Sequence, residues 1–437
     1  MDDVVFELIK EEEQRQIEMI GLIPSENHMA PEVAQVLSSA LSSKYSEGYA
    51  KRRYYEGNQI IDKIELLAIE RLKELFQVPF ANVQAYSGSP ANMAVQFALL
   101  EPGDTLMGLA LGAGGHLTHG HPTVTFSGKY YHSVQFGLDE NDRIDFDQMQ
   151  ALAREHQPKL IIAGTTSYPF VLDFARFREI ADEVGAWLLA DISHITGLVV
   201  AGEHVSPIPY ADVIMSTTHK TFRGPRGAMI LVTDRGLERD PSLGEKIDKA
   251  IIPGLQGGPH NATTAAIAVA ANLAAQPEFK SYARQIRQNA LALAETLMDK
   301  GIKLVGNGTD NHLMVLDFTP YSVGLGRQVA YALDIAGIYA NRNAIPNEPS
   351  SPFYPSGLRI GTPLVTTRGM KEAEMAQIGQ WIAQVVEYVK DAALPEERDS
   401  RGAFIKQFKQ QARDDSFLHQ IRQEVKAMAS RFPLFKA

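Results

Sequence analysis

Lys220 lies in Ser216-Thr217-Thr218-His219-Lys220-Thr221-Phe222-Arg223-Gly224-Pro225-Arg226-Gly227, directly after an apolar run. That run reads as a strand, and ligands of open α/β sheets bind at the carboxyl ends of strands. A lysine among other cations becomes a better amine nucleophile, as covalent chemistry on a carbonyl requires. Alone, a lysine in a polar loop is ordinary surface, so the reading needs a partner. Asp191 ends a second apolar run, Leu188-Leu189-Ala190-Asp191. An aspartate there can keep a pyridinium nitrogen protonated and so make pyridoxal phosphate an electron sink. By itself it reads equally well as a turn or cap residue. Ser87-Gly88-Ser89-Pro90-Ala91-Asn92 completes the set with a small polar turn and a helix opened by proline, whose first amides can hold a phosphate. A lysine, an acid and a phosphate cradle at three strand ends support one another.

Three other motifs fail on their details. Gly112-Ala113-Gly114-Gly115-His116-Leu117 resembles a dinucleotide loop, but its sixth position is leucine. His116, His119 and His121 are close together, yet no nearby carboxylate or cysteine completes a metal set, and no metal is expected. A phosphate-binding P-loop needs glycine before its lysine, and His219 stands there.

Alternating elements must position these residues. Strands are expected at Ala81–Tyr86, Thr105–Leu109, Lys159–Gly164, Trp187–Ile192, Ala211–Thr217 and Ala228–Thr233, with helices at Pro90–Leu100, Phe146–Glu155 and Phe174–Val184. Short buried runs separated by helices imply βα units and a mainly parallel sheet. Residues 3–20 read as an amphipathic helix, an arm lying on something else, and Asp62–Phe76 as a second helix. After Gly258 the composition shifts to Ala- and Leu-rich helices. A strand at His312–Phe318, a helix at Gly326–Ala336, an Asn- and Pro-rich loop at 341–356 and two terminal helices follow. The expected division is an arm at 1–43, a large cofactor domain at 44–280 and a small α/β domain at 281–437.

The 437 residues carry 42 Lys plus Arg and 52 Asp plus Glu, a net charge of −10, with 45% hydrophobic and 22% charged residues. That is the composition of a globular enzyme, with no basic block for nucleic acid. The absence of cysteine excludes a disulfide framework, iron–sulfur clusters and a catalytic thiol. The N-terminus lacks the basic start and apolar core of a signal peptide, and no run reaches ~18 apolar residues. A cytoplasmic protein that does not engage membranes is expected.

The chain resembles the serine hydroxymethyltransferase family over nearly its whole length. The matching motifs are Leu22-Ile23-Pro24-Ser25-Glu26-Asn27, Lys44-Tyr45-Ser46-Glu47-Gly48-Tyr49 with Arg53-Tyr54-Tyr55, Gly114-Gly115-His116-Leu117-Thr118-His119-Gly120, the Lys220 segment, Gly254-Leu255-Gln256-Gly257-Gly258-Pro259-His260-Asn261, Thr309-Asp310-Asn311-His312-Leu313, and Ser356-Gly357-Leu358-Arg359-Ile360-Gly361-Thr362-Pro363. The resemblance implies a fold type I pyridoxal-phosphate transferase. Lys220 would be the Schiff-base lysine, with Thr217 and His219 beside it, and Asp191 would bind the pyridine nitrogen. His194 would lie near the ring hydroxyl, His116 on the ring face, and Thr166 close to the cofactor. Ser87, Gly88 and Ser89 would hold the phosphate, joined by Tyr45, Gly257 and Gly258 from a second subunit. Arg359 would clamp the substrate carboxylate, while Ser25, Glu47 and Tyr55 face the substrate and Glu47 transfers protons. Leu111, Gly115, Leu117, Asn343, Ser351, Pro352 and Phe353 would line the site of tetrahydrofolate, the cosubstrate. A homodimer with shared active sites, or a tetramer, is implied.

The expected reaction is reversible transfer of a hydroxymethyl group between serine and tetrahydrofolate, giving glycine and methylenetetrahydrofolate by retro-aldol chemistry. Departures from the family pattern cluster near the substrate: Ala50-Lys51-Arg52 for Pro-Gly-Lys, Glu56 for glycine, Ala85-Tyr86 for Pro-His, Pro90 for glutamine, Ala113 for histidine, Thr166 for serine and Phe170 for arginine, with Ser193 and Pro355 also changed. They motivate an alternative, α-methylserine with D-alanine as partner. A catalytically inert scaffold paralogue is a further alternative, against which intact Lys220, Asp191 and Arg359 argue.

Overall fold

The apolar runs in the middle of the chain assemble into one sheet. In the computed structural model, which describes residues 3–434, the strands are β1 Phe80–Asn82, β2 Thr105–Leu109, β3 His132–Phe136, β4 Leu160–Gly164, β5 Trp187–Asp191, β6 Val213–Thr217 and β7 Ala228–Val232. Their order is β1-β7-β6-β5-β4-β2-β3. β7 is antiparallel to β1 and β6, and the remaining pairs are parallel. β4, β6 and β7 are buried from end to end, so they read as unbroken apolar runs without alternation.

Two details differ from expectation. β3 escapes an apolar-run reading because only Val134 and Phe136 of it are buried; it is an edge strand with one wet face. β1 is shorter than Ala81–Tyr86 because the Asn82 side chain accepts the Gln84 N–H and ends the strand, and Tyr86 gives its own N–H to the Gln256 side chain.

By internal packing the chain divides into two units. One holds Met29–Thr166 and Phe170–Arg284, the other the chain up to His28, Ser167–Pro169 and the chain from Gln285 onward. The second unit contains β8 Lys303–Leu304, β9 Leu313–Asp317, β10 Asn341–Asn343 and β11 Gly357–Gly361. They form an antiparallel sheet in the order β8-β9-β11-β10. Leu316, Phe318, Val329, Leu333, Trp381 and Ile421 belong to its core. Three helices close the described chain where two were expected: Glu372–Val389, Arg401–Arg413 and Ser416–Ala429.

The expected arm of residues 1–43 is divided between the units. Its first part is fastened within the second unit. Ile20 and Gly21 pair in parallel with Ile338 and Tyr339. The Arg368 guanidinium donates to the carbonyls of Gln16, Ile17 and Met19 at the end of the helix Val4–Glu18, and to those of Ala429 and Phe432 at the end of the last helix. These are helix-terminal carbonyls that lack intrahelical donors. Burial draws the Arg368 pKa down to about 10. The apolar residues at the start of that first helix, Val4, Val5, Phe6, Leu8 and Ile9, are exposed.

Candidate active site

Asp191 closes β5 and is buried. Its Oδ2 accepts from Asn92 Nδ2 at 2.9 Å and sits 2.8 Å from His119 Nε2, while Oδ1 accepts the Ser193 N–H at 3.1 Å. Burial alone would raise the carboxyl pKa. The hydrogen bond from His119, with those from Ser193 and Asn92, outweighs it and holds Asp191 well below the usual carboxylate range. His119 Nδ1 accepts the His116 N–H, so Nε2 is the nitrogen that carries the proton toward Asp191. Asn92 also donates to Thr118 Oγ1 at 2.8 Å, and that hydroxyl lies 2.8 Å from His116 Nδ1. The acid and the histidine expected on the ring face therefore belong to one hydrogen-bonded circuit. From sequence, His119 stands as a rejected metal ligand and as part of a family motif, with no role toward Asp191.

Lys220 follows β6 on a loop tied at several points. Thr218 donates its N–H to Gly227 and its hydroxyl to Pro225, and its carbonyl accepts from Gly224. The Thr221 hydroxyl donates to the His194 carbonyl at 2.9 Å and accepts the Gly197 N–H at 3.0 Å. β6 lies beside β5 with Asp191 paired to Met215, so Asp191 and Lys220 leave neighbouring strands at the same sheet edge. Thr217 is buried and gives its N–H to Ser193 Oγ. Burial, then Arg226 and Lys220, push His219 down to about 3. Its Nδ1 is buried and has no hydrogen-bond partner among the described residues.

The helix Gly88–Leu99 begins at Ser87, whose side chain makes no cap bond among the described residues. A Cβ on Gly88 would come within 2.6 Å of Thr217 Cγ2, so only glycine lets this turn approach β6. A phosphate fits this cradle: open helix amides, the buried nitrogen of a neutral histidine and a small-residue turn. A pyridinium fits Asp191, since a carboxylate has about four lone-pair directions and three are used. Thr166 donates to the Gly115 carbonyl at 2.8 Å, fixing the loop that carries Gly115 and His116. Leu111 and Leu117 on that loop are exposed.

A second constellation lies elsewhere in the same unit. Tyr45, Glu47, Gly257 and Gly258 line a cleft of about 750 Å³ with Lys44, Tyr86 and His260. Tyr86 stacks on His260 with ring centres 4.2 Å apart and donates to the Gly258 carbonyl at 2.7 Å. Tyr55 accepts the Glu47 N–H at 2.9 Å. Beneath lies a charged anchor that sequence reading missed: Arg53 pairs with Asp62 at 2.8 Å and with Glu65 at 3.0 Å. Both acids also accept backbone N–H groups of the hairpin, from Lys51 and Ala50. A signal was present, because Glu65 interrupts the buried stripe Ile61, Ala68, Leu72 and Phe76 on the helix Gln59–Phe76. Glu56 points to solvent.

In the other unit, Arg359 is in the middle of β11 opposite Asn341, to whose Oδ1 its Nε donates at 3.0 Å. Burial lowers its pKa to about 10. Gly361 gives its N–H to Leu22, and a Cβ on Gly361 would reach Pro24, so the turn holding Ser25 sits against the end of β11. Asn343 ends β10, and Ser351, Pro352 and Phe353 are on the loop between β10 and β11, with Phe353 78% exposed.

A family model described as serine hydroxymethyltransferase matches residues 1–382. A serine hydroxymethyltransferase of Acidothermus cellulolyticus is 56% identical over 385 residues, covering 88% of each chain. One from Sorangium cellulosum is 55% identical over 394 residues, 90% of this chain and 91% of its own. One from Desulfotalea psychrophila is 48% identical over 432 residues, 99% of this chain and 94% of its own.

Proposed function

This chain belongs to the serine hydroxymethyltransferase family, and from that premise we propose which of its own groups carry the reversible transfer of a hydroxymethyl group between serine and tetrahydrofolate. When bound, pyridoxal phosphate supplies the electron sink for the carbanion left as serine loses that carbon. The observation that carries the assignment is Asp191: buried, held anionic and hydrogen-bonded on both oxygens, it can keep a ring nitrogen protonated. Lys220 offers the amine that would hold the cofactor's aldehyde carbon. His219 stays neutral near pH 7 and can hydrogen-bond a phosphate oxygen without adding a charge. The first amides of the helix Gly88–Leu99 would share that phosphate. Arg359 would take the amino-acid carboxylate with its planar fork. Glu47 would move a proton at the substrate hydroxyl, a general acid–base role. Ser25 and Tyr55 would orient the substrate. Leu111, Gly115, Leu117, Asn343, Ser351, Pro352 and Phe353 would receive the folate.

Tyr45, Gly257 and Gly258 would serve the site of a second copy. Their open cleft, a Tyr45 that is 70% exposed and the uncovered apolar start of the first helix support this. Among the described residues no helix is long and apolar enough to cross a membrane. Serine is favoured over α-methylserine. The altered hairpin acts through the backbone N–H groups of Ala50 and Lys51, and Glu56 is turned to solvent.

Two measurements test the proposal. Serine with tetrahydrofolate should turn over faster than α-methylserine under the same conditions, and the reverse order would overturn the substrate assignment. Mixing Lys220→Ala protein with Tyr45→Ala protein should recover activity that neither has alone, since one site of each mixed pair is then intact. No recovery after subunit exchange would sink the shared site.

A further inference from the structure

Residues 344–356 join β10 to β11 and hold Pro346, Pro349, Pro352 and Pro355. Proline removes backbone donors and cannot supply ladder bonds, so little regular structure can form in the loop. Its shape comes from one carboxylate. Glu348 Oε2 accepts the Ser356 N–H at 2.8 Å and the Ile345 N–H at 3.3 Å. Oε1 accepts the Ser350 N–H at 3.0 Å and the Ser356 hydroxyl at 2.6 Å. Four donors from both ends and the middle of the loop thus converge on one side chain.

That carboxylate is wired to the elements around it. Ser356 Oγ also accepts the Gly324 N–H, and the Ser356 carbonyl accepts from Phe318 at the end of β9. Ile345 is buried against Val305 and Val315. Gly357, next in the chain, has no room for a side chain: a Cβ would come within 2.7 Å of Ile345 Cγ2 and 2.9 Å of the Asn343 carbonyl. The base is therefore fixed, while at the tip Pro352 and Phe353 are exposed.

The geometry points to Glu348 as a positioning residue for the folate cosubstrate. It pre-shapes the loop so that Ser351, Pro352 and Phe353 are presented without having to be ordered on binding. The inference rests on the assignment of those three residues to folate made above. A loop already in its bound shape avoids the ordering cost that would otherwise weaken affinity. The strands on either side also carry Asn341 and Arg359, while the donors that Glu348 accepts from, Ile345, Ser350 and Ser356, all lie in the loop. Glutamine would keep the length but turn an NH₂ group toward donors that need acceptors.

The test uses the whole cofactor-loaded enzyme. Glu348→Ala should raise the KM for tetrahydrofolate about tenfold, roughly the loss of ordering one loop in advance. Exchange of the glycine α-proton with solvent, measured without folate, should stay within about twofold. Glu348→Gln should fall between wild type and Glu348→Ala. Hydrogen exchange of the Ile345, Ser350 and Ser356 amides should speed up in Glu348→Ala. Equal loss of both activities, or an unchanged folate KM with faster amide exchange, overturns the positioning role. Phe353→Ala separates the two layers: if it leaves the folate KM unchanged, the folate assignment itself is wrong.

Discussion

Around Asp191 the side chains are buried and bonded to one another, whereas the segment from Lys44 to Gly57 turns two of its aromatic rings, Tyr45 and Tyr54, outward while Tyr49 packs on the core beneath. Asn92, His119, Thr118 and Ser193 all find partners inside the unit. Tyr45 is 70% exposed and Tyr54 66% exposed, although the hairpin beneath them is anchored on a buried Arg53–Glu65 pair. The contrast separates two ways of building a site. Asp191, proposed to serve the cofactor, needs a dry, fixed surrounding to hold its charge. Groups proposed to serve a second copy need a rigid base and an uncovered face.

The largest effect that would test this contrast comes from the lysine that leaves the same sheet edge as Asp191. Lys220→Ala should abolish the visible absorption of covalently held cofactor and lower turnover on the order of 10⁴-fold. Thermal stability should barely change, because Thr218 and Thr221 hold the loop without the lysine. An unaltered spectrum would remove Lys220 from the site.

Arg53→Leu comes next. It leaves Glu65, with a side chain only 2% exposed, as an uncompensated buried charge. The expected loss is about 3–5 kcal/mol, read as a lower denaturant midpoint. A loss under about 1 kcal/mol would show that the hairpin does not depend on its anchor.

Asp248 lies under the same hairpin, accepting from Asn82 at 2.8 Å, with its own carbonyl bound to the Tyr49 hydroxyl. Burial pushes it up to about 6 from the ordinary 3.8. Arg52 opposes the rise, and Glu65 and Glu245 add to it. For a raised acid, the stabilisation tied to the neutral form is complete below pH 3.8 and is lost as pH climbs through about 6. Asp248→Asn keeps the acceptor and removes the charge. It should match wild type near pH 4 and exceed it by about 2 kcal/mol near pH 7, measured as melting temperature against pH. A difference independent of pH would contradict the assignment.

Glu56→Gly should do least. With the side chain in solvent, the ratio of kcat/KM for serine and α-methylserine should move by less than about threefold. A larger change would mean that this edge reaches the substrate through Glu56.

The strand ends were readable because chemistry and burial alternate sharply there: an apolar run stops, and Asp191 or Thr217 follows within one sheet edge. β3 was hidden because an edge strand mixes wet and dry residues, as His132-Ser133-Val134-Gln135-Phe136 does. His119 could not be assigned because its role depends on a partner 72 positions away, and periodicity reports only near neighbours. The Arg53 anchor left a trace, a glutamate in an apolar stripe. Glu348 left none, since its importance comes from four donors that only the folded loop brings together.

Arg368 has a consequence for how the chain is made. One guanidinium holds residues 16–19 and residues 429–432, and the longest of these bonds in sequence spans 352 positions. A ribosome adds about 5–20 residues per second. The first helix therefore leaves the ribosome roughly 20–80 s before the helix it shares this arginine with exists. During that interval the first helix lacks that partner, although Ile338, to which Ile20 pairs, is made earlier. Its attachment comes in stages: the strand pairing once residue 338 is made, the arginine once residue 368 is made, and the shared helix only with residues 416–429. A nascent chain stalled before residue 338 should leave residues 16–21 open to proteases and holding chaperones, while one stalled with residue 368 outside the ribosome should already protect them.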